Sequence, residues 1–267
     1  MHPIERLRYV ARTSDADPSL VVRETAGALA GLRLDPAGLV TACRRIVERH
    51  PTSGPLWWLC AHMVTAADPL AAAWHCVEGV EEDRTPDELA EALSQDATVC
   101  VVGWPSQIAE ALARRGDVTV LAVDTEAGGH GLARRLRRMD VEAEEIPPGG
   151  LGAAAAGADV VLVEADALGP DGFVAAPGSH AAAAVAYCAE VPVWLVAGVG
   201  RLLPEPLWRS VLSRLDAMGD PWQLDHDVAP LSLVTHLCGV AGPEAVVEGL
   251  RRLDCPPAPE LLRSSPF

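Results

Sequence analysis

The sequence predicts an α/β protein, with an N-terminal helical domain followed by a Rossmann-like, doubly wound parallel sheet. Three observations carry that reading. Over residues 1–84 apolar positions recur at helical spacing. From Thr98 onward short β-branched runs alternate with helical patterns, as a parallel sheet with crossover helices requires. The stretch 158–200 holds two buried-strand runs, 159–163 and 191–196, around an alanine-rich helix that opens at Gly178 and Ser179. Strands connected in that way lie parallel.

Residues 18–33 read as the first helix, with Asp15 or Asp17 as its cap. Asp35-Pro36 starts a second helix, to about Arg49, and a third runs through Met63. The polar run 81–86 marks a junction, which gives domains over 1–84 and 85–254. The proline- and serine-rich tail, 255–267, is expected to be poorly ordered or to wrap an interface. In the second domain, strands are expected at 99–102, 118–123 and 141–146, with helices at 105–114 and 131–138. Glu164 and Asp166 follow the strand 159–163 directly, and Gly169-Pro170-Asp171-Gly172 has the residue types of a tight turn. Gly242-Pro243 is expected to start a last helix, to about Leu253.

Nearly half of the 267 residues are hydrophobic, enough for a sizeable core, and no apolar run is long enough to span a bilayer. The segment 1–10 lacks the apolar core of a signal peptide, so the chain is expected in the cytoplasm. A net charge of −16 repels nucleic acid and anionic lipid, and direct binding of either is not expected. The seven cysteines are scattered and never form a Cys-x-x-Cys pair, so reduced, buried thiols are expected rather than disulfides or structural zinc. Lysine and asparagine are both absent. A phosphate would therefore need Arg, His or backbone N–H groups, and Schiff-base chemistry on a lysine is excluded. No metal and no cofactor is expected.

In the central stretch, Glu164-Ala165-Asp166, Asp171-Gly172 and Ala175-Ala176-Pro177-Gly178-Ser179 stand in that order. They resemble the "GAD…NG…NKIGT" core shared by methylthioribose-1-phosphate isomerase, ribose-1,5-bisphosphate isomerase and the regulatory subunits of translation initiation factor 2B. Upstream, His50-Pro51-Thr52-Ser53-Gly54-Pro55 resembles that family's "RPTAVNL" segment, with His50 in place of Arg, and Arg23 stands in a segment similar to its "IRGAPA". Downstream, 226–235 resembles the closing "YDVTPPELVT". The resemblance implies the fold above, a sugar-phosphate or nucleotide cleft, and a dimer or larger assembly formed through the C-terminal domain.

Catalytic members of that family isomerise an aldose phosphate to a ketose phosphate with a cysteine and the aspartate of "GAD". Here Gly103 falls at the cysteine's place, Val102 at a histidine's and Trp104 at an asparagine's. Cys100 lies three residues earlier in an apolar run, where alternation turns it away from the direction of residue 103 and burial leaves a thiol inert. Asp166 is the surviving catalytic residue, as general acid/base or as acceptor for a sugar hydroxyl, and the alternative reading is a turn-capping loop residue. Asp124 and Thr125 are placed to reach a polyol, and Gly178 and Ser179 offer N–H groups at a helix start, where an anion can bind. Arg23 is either a phosphate contact or a solvated helix residue. Glu126 stands where the family has Arg, which reverses the charge there, and Glu164 where it has Gly, so the site gains two acidic groups. The sequence thus leaves three readings: a non-catalytic binding or regulatory protein, an isomerase-like enzyme using Asp166, and an assembly subunit with a vestigial cleft.

Overall fold

The structure is a computed structural model that describes residues 18–32, 34–125 and 128–263. Asp15 and Asp17, expected to cap the first helix, and Glu126 lie outside the described residues. Five helices lead the chain: α1 (Pro18–Leu29), α2 (Pro36–Arg49), α3 (Gly54–Thr65), α4 (Pro69–Glu81) and α5 (Thr85–Ala92). Asp35 caps α2 as expected, its side chain accepting from Gly38 N at 2.9 Å. Helix α4 was not among the expected elements, although Asp68-Pro69 repeats the same signal, with Asp68 Oδ1 accepting from Leu70 N and Ala71 N.

Next come β1 (Thr98–Val102), α6 (Ser106–Arg115), β2 (Thr119–Val123), α7 (Gly128–Arg137), β3 (Glu142–Ile146) and α8 (Leu151–Gly157). They are followed by β4 (Val160–Leu168), β5 (Gly172–Ala175), α9 (Ser179–Cys188), β6 (Val193–Val196) and α10 (Glu205–Asp216). The chain closes with β7 (Asp227–Pro230), β8 (His236–Gly239), β9 (Gly242–Ala245) and α11 (Val246–Leu250). The sheet order is β3-β2-β1-β4-β6-β8-β9, parallel from β3 to β8.

Helices cover both faces, as a buried parallel sheet needs. Val99 and Val101 of β1 pack with Ile108, Leu112, Leu132 and Leu136 of α6 and α7. Cys100 and Val102 pack with Ala154, Ala155, Ala182 and Ala183 of α8 and α9. The period-2 alternation therefore sends Cys100 into the core, where burial pushes its thiol up to about 12. A third apolar cluster joins α1 to α4 with Trp208 and Val211 of α10 and with Cys255, Ala258 and Leu261. The stretch 255–261 thus packs into the helical core.

Two local expectations are corrected. The expected strand 159–163 continues as β4 through Leu168 and turns into an antiparallel partner, β5, which pairs in turn with β7. Gly169 makes that turn possible: a Cβ there would lie 2.1 Å from the Trp208 ring. Gly242-Pro243 begins no helix but strand β9, antiparallel to β8. Gly242 has φ +80°, open to glycine, and Pro243 lies on a sheet-edge strand where a missing N–H is tolerated.

Candidate functional site

In this strand order the winding reverses between β1 and β4, and the crevice beyond their carboxyl ends is where α/β sheets hold ligands. Gly103 closes β1 with φ +70°, its N–H donating to Val123 O at 3.0 Å. A Cβ at 103 would lie 3.3 Å from Thr125 Oγ1 and 3.5 Å from Ala176 Cβ, and one at Gly178 would lie 3.3 Å from Thr125 Cγ2. The fold therefore brings Gly103, Thr125, Ala176 and Gly178 to one place. The Trp104 ring is exposed and lies over the first turn of α7, where a Cβ on Gly131 would come within 2.2 Å of it.

Asp166 was expected in a loop beyond the strand, and the structure keeps it within β4. The strand leaves its parallel partner β6 after Glu164 and pairs with β5 from Ala165 onward. Register slips between Ala165 and Ala167, so Asp166 sits at a β-bulge, a device that re-aims a side chain. Asp166 is exposed to solvent, yet protein atoms crowd around it. Burial, the largest cause, pushes its carboxyl up to about 6; Arg201 opposes the rise, Glu164 adds to it, His226 opposes it and Asp225 adds to it.

Glu164 is a different kind of carboxylate. It is buried and accepts from Arg201 at 2.8 Å, from Ser106 Oγ at 3.2 Å, and from Gln107 N and Ile108 N at 2.9 and 3.2 Å. Arg201, itself buried, also donates to the Ala165 carbonyl. The Glu164 charge is thus balanced by a guanidinium and by the N-terminus of α6. Asp227 does the same for α9, accepting from Gly178 N at 2.9 Å and His180 N at 3.0 Å. Asp124 accepts from His130 N at 3.0 Å in α7. Three helix starts around the switch point are therefore closed by the chain's own carboxylates. An external anion was expected at the N–H groups of Gly178 and Ser179; Gly178 N, with His180 N, already serves the internal Asp227, and Ser179 N donates to Ala176 O at 3.1 Å.

The helical residues contribute less directly. Gly54, at the start of α3, packs against the site: a Cβ there would lie 2.7 Å from the Asp166 carbonyl and 2.9 Å from Arg201 Cα. His50, half-buried at the end of α2, has its pKa lowered by burial and by Arg49. Arg23 is bound through Nε and Nη2 to Glu81 at 2.5 and 2.7 Å on the surface of the helical layer. Among the described residues, no group of three or more His, Cys, Asp or Glu could hold a metal ion. None of the described helices is long and apolar enough to cross a membrane.

Arg201, Asp225, His226 and Asp227 were not singled out as site residues from sequence. Arg201 carried a signal, a lone cation just past the buried strand β6. Asp227 was visible only as part of a motif, because its partner helix begins 49 residues away.

The fold and the switch-point geometry define a Rossmann-like α/β protein with an appended helical layer. Solved structures of the same build exist. The translation initiation factor eIF-2B of Pyrococcus horikoshii OT3 superposes with a TM-score of 0.75 at 16% identity, over 93% of this chain and 98% of that one. The eIF2B beta subunit of Chaetomium thermophilum gives 0.70 at 15% identity, over 99% and 94%. A chain of the tetrameric eIF2B-beta2-delta2 complex from C. thermophilum gives 0.71 at 17%, over 92% and 91%. This chain shares the fold of the eIF2B subunits. No protein-family profile matches the sequence, and no curated protein matches it by sequence.

Proposed function

We propose that this chain is a non-catalytic binding protein of eIF2B-like fold, whose switch-point site takes an uncharged polyhydroxyl ligand, a sugar or a nucleoside. One observation carries the reading: Glu164, Asp227 and Asp124 occupy the helix starts that would otherwise hold a phosphate. A phosphate brought there meets a fixed carboxylate, and that repulsion grows as water is excluded. Asp166 remains free to accept from hydroxyls, and the exposed Trp104 ring offers a face on which a ring can stack. Gly103 brings no reactive side chain to the end of β1, which supports binding without turnover.

A second reading, an isomerase-like enzyme using Asp166, is favoured by that residue's raised pKa, since a group near 6 suits acid/base work at neutral pH. Self-association is also part of the proposal, because a Chaetomium chain of this fold is described in a tetrameric complex.

Thermal melting against a panel of neutral sugars, nucleosides and their phosphates tests the main reading. A ligand at one hundred times its dissociation constant should stabilise the fold by about 2.7 kcal/mol. The expected result is a shift with a neutral polyol, lost in Asp166→Ala, and none with the matching phosphate. A larger shift with the phosphate would overturn the proposal. Conversion of the bound polyol to an isomer, abolished in Asp166→Asn, would replace it with the second reading.

A further inference from the structure

His226 is the buried titratable group that the site described so far does not use. Its side chain is 3% exposed, and it directly precedes β7, the strand whose Asp227 caps α9. Strand register locates it: Ala165 of β4 pairs with Ala175 of β5, which pairs with Asp227 of β7. Strands β4 and β7 both run opposite to β5, so Asp166 lies one residue past that row and His226 one residue before it. Two strand spacings and two residues of rise separate their backbones, roughly 12 Å. They are within electrostatic reach, since His226 is among the groups that act on Asp166.

The imidazole's two nitrogens differ. Nδ1 lies 3.0 Å from Asp225 Oδ1. An ionised carboxylate can only accept, so in the neutral ring Nδ1 carries the proton and Nε2 is left with a bare lone pair. Nε2 is closed off from solvent and has no hydrogen-bond partner among the described residues. Orphaned buried acceptors are uncommon and costly, and each calls for an occupant.

We infer that His226, oriented by Asp225, is a second ligand-contacting residue of this site, its Nε2 accepting a hydroxyl proton from a polyol whose other end meets Asp166. The inference rests on the neutral-ligand reading above and adds to it a residue and a length. Acceptors separated by that distance suit a nucleoside better than a single small sugar ring. Arg201, Glu164, His226 and Asp225 are the charged or titratable groups that act on Asp166. Of these, His226 alone combines a buried ring with an unused nitrogen.

The test uses the full chain, with adenosine and D-ribose as probes. In ¹⁵N spectra of the wild type, the neutral His226 ring should be protonated at Nδ1, and adenosine should move the Nε2 resonance. In melting titrations, His226→Phe keeps a ring but removes the acceptor and should weaken adenosine roughly tenfold or more. His226→Gln, which restores an acceptor oxygen, should recover part of the loss. A neutral ring protonated at Nε2 would overturn the inference. So would undiminished adenosine binding by His226→Phe, which would assign the nitrogen an internal water while leaving the neutral-ligand reading intact. Failure of both probes to stabilise the wild type would remove both.

Discussion

Glu164 and Asp166 stand two residues apart on one strand, and their surroundings give them different chemistry. Glu164 is held by four donors, one of them a buried guanidinium. Asp166 has the bulge, the solvent and a carboxyl raised to about 6. That rise has a consequence for stability. An unfolded aspartate titrates near about 3.9. Between that value and the folded one, the folded chain keeps a proton that the unfolded chain has released, so stability from this group falls as pH rises. Asp166→Asn removes the loss. The variant should melt higher than the wild type at about pH 7.5, and the difference should vanish near about pH 4. Solvent access keeps the gain small. Equal melting curves at both pH values would mean that the crowding does not reach the carboxyl. Asp166 was legible as a site residue because it follows a buried strand. Its pKa was not, because the burial that raises it, and Arg201 and His226 that oppose the rise from far along the chain, arise only in the folded sheet.

The helices α6, α7 and α9 all begin at the carboxyl edge of the sheet, and each is supplied with a carboxylate from another part of the chain or from the strand before it. This arrangement predicts a gain of function by deletion. Asp227→Ala frees the N–H groups of Gly178 and His180. It should cost about 0.5–2 kcal/mol, the usual loss for a helix cap. Inorganic phosphate should then restore much of the loss by occupying the vacated position, and should leave the wild type unchanged. Identical responses of the two proteins to phosphate would show that Asp227 does not close the site. The strands and helices from Thr98 to Cys188 were read from period and turn chemistry to within a few residues, apart from helix α8, the late end of β4 and the short strand β5. That hairpin escaped because the strand Gly172–Ala175 carries no alternation. All four of its residues are buried, so no polar position marks a face. Strand β9 escaped for the opposite reason, its glycine and proline reading as a helix start where the fold uses them at a sheet edge.

The architecture was legible because its signals are colinear: helices first, then alternating strands and helices, with motifs in the order of a known family. How the helical layer docks was not, because Trp208, Cys255 and Leu261 reach α1–α4 from the far end of the chain. The surface charge bears on the larger assembly. A chain with net charge −16 repels its own copies, so the self-association proposed above works against a long-range electrostatic cost. Salt screens that cost while leaving apolar burial intact. Raising ionic strength from about 0.01 M to about 0.15 M shortens the Debye length from about 30 Å to about 8 Å. Self-association should therefore strengthen over that range, seen as a rise in weight-average mass by sedimentation equilibrium at fixed protein concentration. A mass that falls as salt is added would point instead to an interface held by opposite charges, with the 21 arginines of one copy meeting acidic groups of the next. A monomer at every salt concentration would remove self-association from the proposal and leave the switch-point site to act within a single chain.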